Sequence, residues 1–207
     1  MLDRHLGHGT TFLDTGAWIG PLSLYAASRG ARVVAVEADP AALAELWANV
    51  GANPTLSPRV EIIERALALK PGTVRMGARR KPGDSMSSTL LPGSGTSWDA
   101  QAITPAELAG HVAGADSLVV KLDIEGGEAA LLPALVPAIA RPGCTLLVSL
   151  HPQILSEAGD PDPAATLVAA LGALASWRAA RLEDGRWMGG PVTPDAVLRA
   201  DLWLFQS

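Results

Sequence analysis

Cysteine is nearly absent from this chain of 207 residues, which contains only Cys144. No disulfide can therefore form within the chain. Cys144 lies in the apolar run "CTLLVSL", a setting typical of a small buried side chain, and no activating residue stands beside it. Because disulfides are characteristic of secreted proteins, we expect a cytoplasmic protein.

Long apolar segments and an excess of basic residues are also missing. No stretch approaches the roughly 18 consecutive apolar residues of a membrane-spanning helix. The first residues, "MLDRHLGHGTTF", lack the apolar core of a signal peptide. The formal net charge is −5, whereas nucleic-acid-binding proteins usually present a basic face. The sequence therefore predicts neither a membrane nor a nucleic acid as a partner.

Strand and helix signals alternate along the chain, 48% of which is hydrophobic. Apolar runs predict strands at 10–14, 31–39, 59–67, 116–124 and 144–152, with two more in the C-terminal tail. Helices are predicted between the strands, with Asp39 and Thr104 as N-caps of two of them. This order predicts a doubly wound α/β fold, in which a mostly parallel seven-stranded sheet carries an antiparallel C-terminal strand. We expect a single domain over 1–207, and the sequence leaves open whether the protein forms a homo-oligomer.

The segment 70–98 differs from the rest of the chain, because glycine, serine, proline and basic residues dominate it. It is predicted to be a long loop or a hairpin insertion, and long loops in compact domains are often functional. Its basic residues, Arg75, Arg79, Arg80 and Lys81, are typical of a solvated loop. An alternative is a lid that attracts an acidic acceptor.

The stretch "FLDTGAWIG" at 12–20 predicts a ligand-binding turn after the first strand. Gly16 and Gly20 allow close backbone approach, but the spacing is D-x-G-x-x-x-G rather than the dinucleotide pattern G-x-G-x-x-G. A carboxylate at Asp14 would repel a pyrophosphate and attract a cation. Glu37, at the end of the second strand, has two oxygens that can accept both hydroxyls of a ribose. Together these residues favour S-adenosyl-L-methionine (SAM) over a nicotinamide dinucleotide.

The stretch "KLDIEGGE" places Lys121, Asp123 and Glu125 at alternating positions, so they share one face if the fourth strand extends that far. His151 ends the fifth strand. Lys121, Asp123 and His151 are candidate catalytic residues, with Asp123 or His151 as the base that removes a hydroxyl proton. Alternatively, Asp123, Glu125 and His151 bind a divalent cation such as Mg²⁺, which acidifies the hydroxyl. Glu128 is expected to interact favourably with the dipole of the following helix.

Two blocks, "FLDTGAWIGPLSLYAASRGARVVAVEADPAAL" and "LVVKLDIEGGEAALLPAL", resemble the hallmark motifs of the FkbM-like family of class I SAM-dependent methyltransferases. The resemblance covers roughly residues 10–150. The family typically has a D-x-G-A-N-x-G turn and a K-x-D-x-E-G-x-E block, and Trp18 stands here in place of the asparagine. The resemblance implies a Rossmann-like fold with SAM bound by Asp14, Gly16, Ala17, Gly20, Glu37, Ala38, Ala66, Asp123 and Ser88, or Ser87 in place of Ser88.

The expected activity is SAM-dependent O-methylation of a hydroxyl on a small-molecule acceptor, such as a sugar, a polyketide or another specialised metabolite. N-methylation of an amine and a non-catalytic binding protein with the same fold are the alternatives. A nicotinamide oxidoreductase would need a turn compatible with phosphate, and Asp14 argues against one.

Overall fold

The computed structural model describes residues 2–91, 96–181, 191–200 and 202–207. A seven-stranded sheet runs through it, with strand order β10-β11-β9-β8-β1-β2-β3. These strands are β1 Thr10–Thr15, β2 Arg32–Glu37, β3 Val60–Glu64, β8 Ser117–Leu122, β9 Thr145–Ser149, β10 Arg178–Arg181 and β11 Leu202–Gln206. The pairs from β9 to β3 are parallel, whereas β11 is antiparallel to both of its neighbours. The predicted sheet is confirmed.

Helices connect the strands and cover the sheet: α1 Pro21–Ser28, α2 Pro40–Gly51, α3 Pro105–His111, α4 Glu128–Ile139, α5 Pro152–Glu157, α6 Pro163–Leu171 and α7 Pro194–Arg199. Six of these helices begin with proline, which has no N–H to leave unpaired at a first helical position. Asp39 caps α2, and Thr104 forms a capping box with Glu107 in α3, as predicted. The described chain contains no helix both long and apolar enough to span a bilayer.

The central strands are buried on both faces. Phe12 and Leu13 of β1 are inaccessible to solvent and point to opposite sides of the sheet, each into a different apolar cluster. Their neighbours on β8 are Val119 and Val120, which also belong to different clusters: Val119 to that of Phe12 and Val120 to that of Leu13. Cys144 lies in this core, and burial raises the pKa of its thiol to about 12. The thiol is therefore a structural side chain at physiological pH.

The predicted insertion is a hairpin that belongs to a second, smaller sheet of order β4-β7-β5-β6. Its strands are β4 Ala66–Leu67, β5 Thr73–Ala78, β6 Ser87–Ser88 and β7 Thr96–Ile103, and β5 pairs antiparallel with β7. Positions 92–95 of the insertion lie outside the described residues. The single strand predicted over 59–67 was wrong, because the chain leaves the main sheet at Arg65 and joins the small one as β4. The small sheet therefore lies beside the carboxyl ends of β1 and β2.

Candidate functional site

A cavity of about 300 Å³ lies at the carboxyl ends of β1, β2 and β8, with the small sheet as its outer wall. Ligands of doubly wound folds bind at this edge. Most of the site residues expected from the sequence line this cavity. Those that line it are Asp14, Gly16, Ala17, Glu37, Ala38, Ala66, Ser87, Lys121, Asp123 and Glu125, whereas Gly20, Ser88 and His151 do not.

The turn after β1 packs tightly against the end of β8. Gly16 has a φ of 78°, and a Cβ at this position would lie 1.8 Å from the carbonyl oxygen of Asp123. Its N–H and that of Ala17 both donate to the Val36 carbonyl of β2, at 3.0 Å each. These amides are therefore not free to bind a phosphate. Gly20 has a different role, because it precedes α1 with a φ of 88° and packs against Leu46 of α2.

The Asp14 carboxylate is almost completely buried and faces a buried lysine. Its Oδ2 accepts a hydrogen bond of 2.7 Å from Ser23, and its Oδ1 lies 3.2 Å from Lys121 Nζ. The second contact is an ion pair rather than an aligned hydrogen bond, since Oδ1 has no hydrogen-bond partner among the described residues. Lys121 Nζ donates to the Gly16 carbonyl at 2.7 Å and lies 3.3 Å from Asp123 Oδ2. The Asp14 charge is thus balanced by the protein's own ammonium group.

Opposing effects act on the pKa of Lys121. Burial favours the neutral amine, but the negative charges of Asp14 and Asp123 outweigh burial and raise the pKa above its usual value. The side chain therefore stays protonated at neutral pH. It can hold Asp123 and the glycine turn in place, but it cannot take up a proton.

Glu37 is held by the backbone around it. Its Oε1 accepts from the N–H groups of Ala38 and Asp39, and its Oε2 accepts from the N–H of Trp18, at 2.7 to 2.8 Å. Burial raises the pKa of this carboxyl, although the three N–H groups oppose the shift. A carboxylate offers about four acceptor positions, so one remains on Oε2. The side chain can therefore accept one ribose hydroxyl directly, rather than two.

Two tryptophans join the small sheet to the turns of the main one. Trp18 has a φ of 51° and donates from its indole Nε1 to the Gly83 carbonyl at 2.9 Å. Trp98 of β7 donates from Nε1 to the Ala38 carbonyl at 3.0 Å. A positive φ is more accessible to asparagine than to tryptophan. At position 18 the protein instead has a side chain long enough to reach the insertion.

The two serines of β6 have different surroundings. Ser87 lines the cavity and donates to Asp39 Oδ2 at 2.6 Å. Ser88 is buried, and its hydroxyl donates to the Glu125 carbonyl at 2.6 Å. Ser88 therefore supports the turn after β8, whereas Ser87 is the serine that a bound molecule would meet.

Beyond Asp123, the cavity is bounded by the turn that follows β8, with Ile124 and Glu125. Strand β8 ends at Leu122, and Glu125 has a φ of 54°, so the predicted alternation along an extended strand does not hold. The side chains converge nevertheless, because His151, the residue before α5, lies opposite the turn. Its Nε2 lies 3.5 Å from Asp123 Oδ1 and 3.6 Å from Glu125 Oε1.

Carboxylates surround His151 and keep it protonated. Burial alone would lower the pKa of the imidazole, but a hydrogen bond to Glu128 and the charges of Glu128, Glu125 and Asp123 raise it to about 9. Burial in turn raises the pKa of the Glu125 carboxyl, against the opposing effect of His151. At neutral pH the imidazolium is a fixed positive charge, and a carboxylate next to it is the better proton acceptor.

Mg²⁺ suits this group of residues poorly. One ligand atom each from Asp123, Glu125 and His151 lies within 4.8 Å of the others. Mg²⁺, however, favours an octahedron of oxygens with several waters, and imidazole binds metals only when it is neutral. The carboxylates around His151 instead keep its proton in place. The imidazolium supplies the positive charge that they require.

The position of Glu128 in this site was not predicted from the sequence. Its side chain is fully buried and contacts the turn before it and His151. The second glutamate of "EGGE" was the available signal. Its spacing from Glu125 did not show that its carboxylate folds back onto the turn.

Comparison with known proteins supports the fold. No family model and no curated protein matches the sequence. Among solved structures, methyltransferase FkbM of Methylobacillus flagellatus aligns over 95% of this chain with a TM-score of 0.53 and 18% identity. This chain spans only 43% of that protein. A Clostridium thermocellum protein proposed to be an rRNA methylase aligns over 99% of this chain and 90% of its own, with a TM-score of 0.54 and 9% identity.

A third similar structure is an O-methyltransferase from Bacillus cereus in complex with S-adenosylhomocysteine (SAH). It aligns over 95% of this chain and 72% of its own length, with a TM-score of 0.50 and 13% identity. This chain has the Rossmann-like methyltransferase fold. Identities this low establish the fold alone, so the activity has to be argued from the site.

Proposed function

We propose that the protein is a SAM-dependent methyltransferase that methylates a hydroxyl group of a small molecule. The observation that carries this proposal is the convergence of Gly16, Glu37 and Asp123 on one cavity at three neighbouring strand ends. The turn's amides bond to Val36, which disfavours a pyrophosphate and hence a nicotinamide cofactor. The fold shared with methyltransferases agrees with this choice.

The cofactor would be held by residues from all three strand ends. Glu37 would accept a ribose hydroxyl, with Ala38 and Ala66 beside the adenine. The turn at Gly16 and Ala17 would meet the methionyl part. When bound, SAM supplies an electrophilic methyl group on a sulfonium. Asp123 would face that positive charge while Lys121 holds its carboxylate in place.

Glu125 is our candidate for the proton acceptor of the reaction. It is partly buried, its burial raises the pKa of its carboxyl, and it lies beside an imidazolium that stabilises its ionised form. When SAM transfers its methyl group to the acceptor oxygen, the Glu125 carboxylate would accept the proton that the hydroxyl loses. His151 and Lys121 remain protonated throughout. Orientation of the two reactants provides most of the rate enhancement.

Calorimetry with SAM, SAH and NAD tests the cofactor. We expect SAM and SAH to bind and NAD to show no heat of binding. Binding of NAD without a response to SAH would refute the proposal.

A screen of hydroxyl and amine acceptors with radiolabelled SAM then tests the reaction. We expect transfer to a hydroxyl, at least a hundredfold slower in Glu125→Gln, while the affinity for SAH is retained. Glu45→Gln is the matched control and keeps the wild-type rate, because Glu45 is an exposed residue of α2 that does not line the cavity. Transfer only to amines would favour N-methylation. SAH binding without any transfer would favour a non-catalytic binding protein.

A further inference from the structure

The turn after β8 carries Glu125 in an unusual backbone conformation. Its φ of 54° lies in the left-handed region, which residues other than glycine and asparagine rarely adopt. Such conformations persist only where surrounding contacts impose them, and they are concentrated at functional sites. The contacts that hold this turn therefore decide where the Glu125 carboxylate lies.

Glu128 makes two of those contacts. Its carboxylate folds back from the first residue of α4, so that Oε1 accepts from the Ile124 N–H at 2.8 Å and Oε2 from the Gly126 N–H at 2.9 Å. These two amides flank Glu125 directly. On the other side of the turn, the Ser88 hydroxyl donates to the Glu125 carbonyl. The strained residue is thus fixed by hydrogen bonds on both sides.

The same carboxylate also fixes the histidine. Glu128 Oε1 accepts from His151 Nδ1 at 3.1 Å, which turns Nε2 towards Asp123 and Glu125. A carboxylate bound to one imidazole nitrogen fixes the orientation of the ring. Glu128 therefore connects the turn after β8 with the start of α5, two segments more than 20 residues apart in the sequence.

We infer that Glu128 is the positioning residue of the acceptor site, which sets the distance between the Glu125 carboxylate and the His151 imidazolium. Glu128 is fully buried and does not line the cavity, so it acts through these two residues rather than on the reactants. The expected effect of Glu128 on catalysis rests on the proposed methyl transfer. The arrangement of Glu128, Glu125 and His151 does not depend on that proposal. The residue is thus more than a carboxylate that stabilises the start of a helix.

Nuclear magnetic resonance of the full-length protein labelled with ¹⁵N-histidine tests the geometry without any ligand. The His151 signals are assigned by their loss in His151→Asn. We expect a slowly exchanging Nδ1–H with a nuclear Overhauser contact to the Ile124 amide. In Glu128→Gln this signal should shift and exchange faster. A wild-type His151 without a protected Nδ1–H would overturn the inference, even if Glu128→Gln failed to fold.

Turnover tests the consequence, with the acceptor that the screen identifies. We expect Glu128→Gln to lower kcat more than tenfold, while SAH affinity and the KM for SAM change less than threefold. Glu107→Gln is the matched control, because it removes a carboxylate from the start of α3, and it should leave kcat and the His151 signals unchanged. A purely structural role for Glu128 predicts a lower melting temperature with unchanged kcat in the folded protein, and that result would contradict the inference. Failure of SAH to bind the wild type would instead refute the proposed function.

Discussion

The ammonium nitrogen of Lys121 lies 3.2 Å from Oδ1 of Asp14, and the two side chains are 10% and 1% exposed. Both charges have lost most of their water, so each depends on the other for compensation. The Asp14 carboxylate that looked in the sequence like a free negative charge for a cofactor is therefore part of an internal ion pair. The pair also joins β1 to β8, the two central strands whose ends form the floor of the cavity.

Replacing Asp14 by asparagine should destabilise the protein by about 3 kcal/mol, because a buried Lys121 would lose one of its two carboxylate partners. Urea unfolding at pH 7 measures this loss. The double variant Asp14→Asn, Lys121→Met should recover part of it, since no unpaired ammonium remains.

The exposed pair Arg75–Asp99 provides the control for this experiment. Asp99→Asn should change the stability very little, because solvent screens exposed ion pairs. If Asp14→Asn and Asp99→Asn had the same effect, or if the double variant were less stable than the single one, the buried pair would not have the role that we assign to it.

The stability of the protein should fall between pH 6.5 and about 9. His151 has a pKa of about 9 in the folded protein and about 6.5 when unfolded, so folding favours its protonated form. The resulting stabilisation is complete below pH 6.5 and is lost as the pH rises through 9, in total about 3 kcal/mol. Urea unfolding at several pH values measures the slope. His151→Asn should flatten it, and an unchanged slope in that variant would show that another group is responsible.

Local sequence signals predicted the parts of the site that depend on neighbouring residues. Gly16 follows a buried strand, and glycine is required there because a Cβ would lie 1.8 Å from the Asp123 carbonyl oxygen. Asp39 before Pro40 predicted the start of α2, because its Oδ1 accepts from the N–H groups of Ala41 and Ala42, which follow Pro40 directly. Glu37 was predicted as a site residue because it lies at the end of β2. In each case the residues that determine the conformation lie within a few positions or on a neighbouring strand.

Long-range contacts account for what the sequence analysis did not find. The partners of Glu128 include His151, which the fold alone brings into contact. The raised pKa of His151 arises from three carboxylates within residues 123–128, more than 20 positions away in the sequence, so a base was expected where the structure has an imidazolium. The short helices α5 and α7 have six residues each, too few for a clear periodic pattern.

Methyl transfer should not depend on a divalent metal. His151 already supplies a positive charge between Asp123 and Glu125, so removal of metals with EDTA should leave the rate unchanged. Calorimetric titration with Mg²⁺ alone should show no binding to these residues. Loss of activity with EDTA and its recovery with Mg²⁺ would contradict this prediction and support the metal site that the residue spacing allowed.

Trp18 should slow the release of the cofactor, because its indole bonds to Gly83 of the insertion while its backbone N–H bonds to Glu37. Trp18→Phe keeps an aromatic ring but loses the indole N–H. A hydrogen bond contributes about 1 kcal/mol, so we expect SAH to dissociate roughly fivefold faster. Stopped-flow fluorescence measures the rate, and hydrogen exchange of residues 79–89 should increase in parallel.

Trp47→Phe is the matched control for this variant. Trp47 also donates from its indole nitrogen, to Glu64, but its side chain is largely exposed on α2 and does not line the cavity. Its replacement should leave SAH release and the exchange of residues 79–89 unchanged. Faster release in both variants would indicate a general loss of rigidity. Faster release in Trp18→Phe alone would show that the tryptophan at position 18 couples the insertion to the cofactor turn.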